Sequence, residues 1–164
     1  MKLFSIWYHS KALLKRVYFK LVYGKKLKLG LKTTWRRNFS VLIEKNAHIE
    51  IGKGCFFNND CSLVAMDNIK IGEGTLFGEN VKIYDHNHKF NRIEVPIKEQ
   101  GYSVKSVTIG KHCWIGSNVV ILKGVHIGNN CVIGAGCVVS YSVPSNTIVK
   151  MKNIYEQEDL RIKK

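Results

Sequence analysis

The 164-residue chain lacks any run of about twenty consecutive apolar residues, so the sequence predicts no transmembrane helix. Its amino-terminal region has neither an uninterrupted apolar stretch nor a small-residue cleavage site, and we therefore expect no cleaved signal peptide. The five cysteines are an odd number without a Cys-x-x-Cys pair, which argues against both a disulfide framework and a common zinc motif. These absences together predict one domain in the reducing cytoplasm.

Acidic residues are also missing from the first 43 positions, where eleven Lys or Arg residues lie, and the formal net charge of the chain is +14. Apolar residues between Leu3 and Val22 recur at roughly helical spacing and predict a basic amphipathic helix. This helix could cover the open end of a β-stack, or it could lie on an anionic membrane surface. We assign residues 1–40 to a basic amphipathic cap. Membrane contact through residues 1–37 would make the protein peripheral at the inner face of the cell membrane.

A six-residue repeat, or hexad, begins with a bulky aliphatic residue and has a small residue four places later. In the second half of the chain, hexads begin at Ile109, Ile115, Ile121, Ile127 and Ile133. This period fits neither a helix nor a single alternating strand, and it predicts a β-solenoid. Tracing the register backwards gives about five triangular coils over residues 41–150, each stabilised by its neighbours. Residues 151–164 would form a tail or a second cap.

The fifth hexad position carries small residues and holds all five cysteines, at Cys55, Cys61, Cys113, Cys131 and Cys137. Because free cysteine is among the most buried residue types, we predict buried, reduced thiols and not a reactive nucleophile. Glycine is frequent at the second position, where it would permit tight corners.

The repeat is interrupted once, by an excursion of residues 89–106 that follows the tetrapeptide Asp85-His86-Asn87-His88. Long excursions from a rigid scaffold are where binding and catalytic residues tend to lie. Histidine can accept a proton near neutral pH, and in an extended segment both rings would project to one side while Asp85 orients one of them. The spacing alone leaves three interpretations open: a general base, a metal site, or a structural pair.

Three segments resemble the hexapeptide-repeat acyltransferases, specifically the maltose, galactoside and polysaccharide O-acetyltransferases. They are Cys113 to Val119, Lys123 to Gly128, and Ile133 to Gly136. The resemblance implies an all-β fold, namely a left-handed parallel β-helix with an amino-terminal amphipathic helix and one protruding loop. It also implies a homotrimer whose active sites lie in the clefts between neighbouring solenoids, with acetyl-CoA as cosubstrate, a carbohydrate acceptor and no metal.

The resemblance also assigns roles to individual residues. The family's catalytic histidine, which deprotonates the acceptor hydroxyl, falls on His88, with His86 and Asp85 as support. Acceptor binding falls on Asn59, Tyr84 and Trp114, for which a turn, core filling and an interface are the plainer interpretations. Acetyl-CoA binding falls on Ser117, Ala135, Ser140 and Tyr141.

The function expected from these features is O-acetylation of a sugar hydroxyl in bacterial surface polysaccharide biosynthesis. An antibiotic acetyltransferase of the chloramphenicol or streptogramin type would share the base and the cosubstrate. A γ-type carbonic anhydrase would need three histidines around zinc. A non-catalytic scaffold or nucleic-acid binder is encouraged only by the net charge, and because no recognition motif accompanies that charge we expect no nucleic-acid partner.

Overall fold

The computed structural model describes residues 14–152, which form a three-sided parallel β-solenoid of six turns, the last one partial. The predicted solenoid is therefore confirmed, with one more turn than the sequence indicated. The extra turn lies at the beginning, where strands start at Leu27, inside the segment that we had assigned to the amino-terminal cap. The beginning of the predicted helix and the end of the predicted tail lie outside the described residues.

Each of the five complete turns contributes one short strand to each side of the solenoid. The first side contains β1 (Leu27–Leu29), β4 (His48–Ile51), β7 (Asn68–Ile71), β12 (Val107–Ile109) and β15 (His126–Ile127). The second side contains β2 (Thr34–Trp35), β5 (Phe56–Phe57), β8 (Leu76–Phe77), β13 (Trp114–Ile115), β16 (Val132–Ile133) and β18 (Ile148–Val149). The third side contains β3 (Ser40–Ile43), β6 (Ser62–Ala65), β9 (Lys82–Tyr84), β14 (Val120–Ile121) and β17 (Val138–Val139).

A helix, α1, covers the first turn. It spans residues 14–23 and is followed by a 3-10 turn, Gly24–Lys26. Phe19 is 3% exposed and packs on Trp35, with 5.7 Å between ring centroids. Arg16 donates to the carbonyl of Leu29 at 2.7 Å and Tyr23 donates to that of Val41 at 2.6 Å. The helix thus shields the apolar end of the stack and satisfies carbonyl groups that have no turn below them. Within residues 14–152, no helix is long and apolar enough to cross a membrane.

The core is a set of stacked side-chain columns. On the second side the column begins with aromatic rings and continues with aliphatic residues: Phe57 stacks on Phe77 with 4.3 Å between centroids, and Ile115 and Ile133 follow in register. These residues are almost completely buried, as are the inward residues of the other two sides. No single turn could bury such a surface, so stability comes from contact between neighbouring turns.

Side chains at the fifth hexad position hydrogen-bond from one turn to the next. The thiols of Cys61 and Cys113 lie 3.1 Å from the carbonyl oxygens of Gly78 and Gly128, and the Thr75 hydroxyl donates to the Gly110 carbonyl at 2.9 Å. All five cysteines are buried and free, as predicted. Burial raises the pKa of the Cys55, Cys61 and Cys113 thiols, which keeps them protonated.

Glycine at the second hexad position has a different role from the one predicted. The left-handed backbone conformation at the corners occurs at the fourth position, as at Asn80 and Gly74, with φ of 55° and 67°. A Cβ placed on Gly110 would instead lie 2.4 Å from the carbonyl oxygen of Gly128 in the next turn. The second position therefore needs glycine because successive turns approach each other closely there.

The predicted excursion is present and contains an antiparallel hairpin of β10 (His86–His88) and β11 (Tyr102–Val104), with a 3-10 turn, Ile97–Glu99, between them. The register traced backwards puts a hexad at Ile83–His88, but only its first half is solenoidal, because His86–His88 pair with the returning arm of the excursion. The chain leaves and re-enters at one corner, where the Lys105 amide donates to the Asp85 carbonyl at 2.8 Å.

Candidate active site

Asp85 anchors the base of the excursion. Its side chain is completely buried, and its two carboxylate oxygens accept the backbone N–H groups of Met66 and Asp67, each at 2.8 Å. Met66 and Asp67 form the corresponding corner of the preceding turn. One carboxylate therefore fixes where the excursion starts relative to the turn below, and these charge-assisted bonds compensate the cost of burying it.

His86 is held by the same carboxylate. Its Nδ1 lies 3.1 Å from Oδ1 of Asp85, and its side chain is 14% exposed. Because an ionised carboxylate can only accept, Nδ1 carries the hydrogen in the neutral ring and Nε2 keeps the lone pair. Asp85 thus orients one ring of the histidine pair, as the sequence suggested, and that ring belongs to His86.

His88 is exposed and opens onto a cleft. The cleft has a volume of about 460 Å³, and its lining includes His88, Lys89, Phe90, Ser103 and Lys123. His86 is not among the lining residues. A neutral imidazole in such a cleft can accept a proton from a bound hydroxyl. His86 does not face the cleft, and its bond to Asp85 helps to fix strand β10.

Tyr102 joins the two histidines and was missed by the sequence analysis. Its ring centroid lies 4.5 Å from that of His88 and 5.5 Å from that of His86. Both imidazoles therefore lie on one side of β10, which the two-residue spacing predicted. The Tyr84 ring also lies near His86, with 6.2 Å between centroids.

Lys123 was also missed as a site residue. Strands β9 and β14 pair so that Ile83 lies opposite Ile121, which sets Lys123 one turn above Asp85 at the same corner. Val139 lies opposite Ile121 in turn, so Ser140 and Tyr141 follow at this corner one turn further on. Tyr141 is 60% exposed. Lys123 and Tyr141 therefore lie at successive levels of this corner, above Asp85.

Three other predicted site residues form a row along a different corner, the one between the second and third sides. The Asn59 side-chain amide donates to the Glu79 carboxylate at 2.9 Å, and the Glu79 backbone amide donates to the Ser117 hydroxyl at 3.1 Å. One turn further on, the backbone amide of Gly136, next to Ala135, donates to the Ser117 carbonyl at 2.8 Å. Asn59 thus takes part in a corner ladder, which was the plainer of its two interpretations. Within one chain this row is not brought together with His88.

The outward faces of the three sides differ in chemistry. The first side presents polar residues: Lys28, Glu50, Lys70, Thr108 and His126. The second side presents an apolar stripe: Phe56, Leu76, Trp114, Val132 and Ile148. The third side presents two shorter apolar stripes: Leu42, Val64 and Tyr84 form one, and Val120 and Val138 form the other, in register with Ser40, Ser62 and Lys82 of the lower turns. Trp114 is 58% exposed, and its ring points outward from the second side.

Metal-ligating side chains do not converge in this part of the molecule. Among the residues that the structure describes, no three His, Cys, Asp or Glu side chains are grouped so that they could hold a metal ion.

Comparison with known proteins gives matches at three levels. The family model described as bacterial transferase hexapeptide (six repeats) matches residues 106–140. One relative is the Escherichia coli (strain K12) protein WbbJ, whose name provisionally assigns it to O-acetyl transfer in lipopolysaccharide biosynthesis. It is 32% identical over 112 residues, which cover 60% of this chain and 57% of that protein. Galactoside O-acetyltransferase from the same organism is 35% identical over 108 residues, covering 66% of this chain and 52% of that protein. The chain thus spans about half the length of the curated relatives it matches.

Among solved structures, a hexapeptide-repeat-containing acetyltransferase of Vibrio cholerae O1 biovar eltor, crystallised with acetyl coenzyme A, matches with a TM-score of 0.71 at 28% identity. The match covers 83% of this chain and 70% of that chain.

Proposed function

We propose that this chain, a relative of the hexapeptide-repeat O-acetyltransferases, transfers the acetyl group of acetyl-CoA to a hydroxyl of a sugar. The resemblance predicted from the sequence is confirmed by the comparisons, and acetyl-CoA is the ligand of the Vibrio cholerae relative. The observation that carries the proposal is the cleft at the single interruption of the solenoid, because it contains an exposed imidazole on a strand fixed by a buried carboxylate. The name of WbbJ points to an acceptor in bacterial surface polysaccharide assembly.

In this proposal His88 is the general base. The imidazole takes the proton of the acceptor hydroxyl while the hydroxyl oxygen attacks the thioester carbonyl, and the CoA thiolate leaves and is protonated. Holding the hydroxyl and the thioester together replaces a bimolecular encounter, so no acyl-enzyme is needed. Asp85 and His86 act by positioning, since they fix β10 from its buried side.

The corner row gives a place for the pantetheine arm of acetyl-CoA. In two of the three lower turns the backbone N–H at this corner is satisfied by a side chain from the turn above: Arg37 by Asn59 at 3.2 Å, and Glu79 by Ser117 at 3.1 Å. In the turn between them the Asn59 N–H donates to the Asn58 side chain at 2.9 Å. Above Ser117 stands Ala135, whose side chain has no oxygen to accept the Ser117 N–H. This break in the ladder suits a backbone donor that serves a bound amide, which is the role the resemblance implies for Ser117 and Ala135.

A homotrimer would bring the two parts of the site together. His88 and the corner row lie at different corners of one solenoid, so a complete site requires the corner row of a neighbouring copy beside His88. The apolar stripes on the second and third sides, against a polar first side, support packing through two sides of each copy. Light scattering of the purified protein measures the number of copies.

The test uses labelled acetyl-CoA with a panel of sugars, lipid-linked glycans and antibiotic acceptors. We expect His88→Ala to lower kcat by roughly a hundred- to ten-thousand-fold, the usual contribution of a general base, and His86→Ala to lower it less. His126→Ala, which changes an exposed histidine on the polar first side, is the matched control and should leave turnover unchanged.

Near-normal turnover of folded His88→Ala would remove this residue from the mechanism. If His88→Ala kept its turnover and folded His86→Ala were inactive, the Asp85–His86 pair would be the base instead. Acetylation of an antibiotic in preference to every glycan would overturn the proposed acceptor class.

A further inference from the structure

We infer that the outer side of α1 and the groove beside it form a docking surface for an anionic phospholipid bilayer. This inference concerns the end of the solenoid, away from the cleft that contains His88, and it does not depend on acetyl transfer.

The helix has two distinct apolar faces. One face packs on the first turn through Phe19 and Tyr23. The other points into solvent and carries five large apolar residues at helical spacing. Their exposed fractions are 73% for Leu14, 53% for Val17, 57% for Tyr18, 81% for Leu21 and 52% for Val22. An isolated exposed leucine would need no explanation, but a continuous apolar stripe along the described part of α1 marks an interaction surface.

The positive charge around this stripe favours an anionic partner. Residues 14–37 contain nine Lys or Arg residues and no Asp or Glu. Each such residue near an anionic leaflet contributes about 1 kcal/mol of attraction. An apolar stripe in a purely cationic surrounding therefore fits the anionic headgroup region of a bilayer, where Tyr18 would lie at the level that aromatic residues favour.

A groove between α1 and β1 extends the surface. It has a volume of about 360 Å³, with Val17, Leu27 and Leu29 on its apolar walls and Arg16 and Lys20 as its cations. Within residues 14–152, the Arg16 guanidinium donates to the backbone carbonyls of Leu29, Gly30 and Thr33 and pairs with no acidic side chain. The groove thus offers positive charge beside an apolar wall, which suits a lipid phosphate and the start of its acyl chain.

The location at the end of the stack keeps the three sides of the solenoid free. Docking through α1 does not compete for the apolar stripes of the second and third sides, and it leaves the cleft accessible. A second copy of the chain is the alternative occupant of the same helix face, and the experiment distinguishes it.

The test is flotation of the full-length protein with vesicles of phosphatidylglycerol and phosphatidylcholine, compared with vesicles of phosphatidylcholine alone. We expect binding to the anionic vesicles that weakens as salt is raised, and much weaker binding to the neutral vesicles. The double variant Val17→Gln with Leu21→Gln should lose about tenfold in partitioning, since two large apolar side chains no longer enter the interface. Ile93→Gln, at a position 98% exposed on the excursion, is the apolar control and should bind like the wild type.

The charge contribution has its own pair of variants. Lys20→Gln should weaken binding about fivefold, as the loss of one cation near the leaflet predicts, whereas Lys70→Gln on the polar first side should have no effect. Circular dichroism checks that each variant is folded, which we expect because the replaced side chains are exposed.

Several results would overturn the inference. They are equal binding to both vesicle types, no binding to either, and unchanged binding of the double variant. A change of oligomeric state in the double variant, without vesicle binding by the wild type, would assign the helix face to a second copy.

Discussion

Replacing Asp85 by Asn should destabilise the fold by about 2–4 kcal/mol, because one of the two backbone amides bonded to this buried carboxylate loses its acceptor. In the native protein the two carboxylate oxygens each accept one backbone N–H at 2.8 Å, from Met66 and Asp67, and Oδ1 also contacts His86. Asparagine has one oxygen and one NH₂ group, so one of the two amides must face another donor. An unsatisfied buried donor costs about 1–3 kcal/mol, and the remaining bonds lose the strengthening given by the charge.

Asp85→Ala removes both acceptors and should cost about 3–6 kcal/mol. This is a large fraction of the roughly 5–15 kcal/mol that separates folded from unfolded domains. The order of the two variants therefore matters as much as the size of either effect.

The assay is equilibrium unfolding in urea followed by circular dichroism, with hydrogen exchange of the Met66 and Asp67 amides as a local measurement. Both amides should be protected in the wild type and should exchange faster in the two variants. Glu50→Gln changes the same charge at an exposed position of the first side, and its effect should stay within about 0.5 kcal/mol. A loss below about 0.5 kcal/mol for Asp85→Asn, with both amides still protected, would refute the role of this carboxylate as the anchor of the excursion.

Two further predictions follow from contacts between turns. Gly110→Ala should lower stability by about 1–3 kcal/mol, because its Cβ would lie 2.4 Å from the Gly128 carbonyl oxygen. Gly134→Ala, whose Cβ has its nearest contact at 3.2 Å, should cost much less. Equal unfolding midpoints for the two variants would contradict this account of the hexad glycine. Near neutral pH, a thiol-reactive disulfide reagent should label the folded protein slowly, because burial raises the pKa of Cys55, Cys61 and Cys113 and only the thiolate reacts. In urea the reagent should label all five thiols. A thiol of the folded protein that reacts as fast as free cysteine would contradict this prediction.

The solenoid could be predicted from the sequence because the hexad is a local signal repeated many times. The first turn was not recognised, although Gly30 and Asn38 occupy the expected second and fourth positions. Its inward residues include Trp35, where later turns have phenylalanine and then isoleucine, and Phe39, where later turns have a cysteine or valine. The structure gives the reason: at this end the core is closed by α1, and the larger rings fill the space beneath Phe19.

The site could be predicted only in part. The histidine pair and the interruption are visible in the sequence because they are adjacent in the chain. Tyr102 approaches the histidines through antiparallel pairing of the two arms of the excursion, and Lys123 does so through the register of β9 with β14. Both depend on tertiary pairing that the hexad does not encode. The roles of His88, Asn59, Ser117, Ala135, Ser140 and Tyr141 remain predictions.

The closure of the excursion at a single corner makes this segment separable from the scaffold. The Lys105 amide donates to the Asp85 carbonyl of the turn below, and the Lys105 carbonyl accepts from the Gly124 amide of the turn above at 2.9 Å. The hydrogen bonding between turns is therefore continuous across the excursion. A longer or shorter hairpin would change little beyond the entropy of closing a loop. The hairpin can therefore be exchanged for another segment while the solenoid beneath and above it keeps its register.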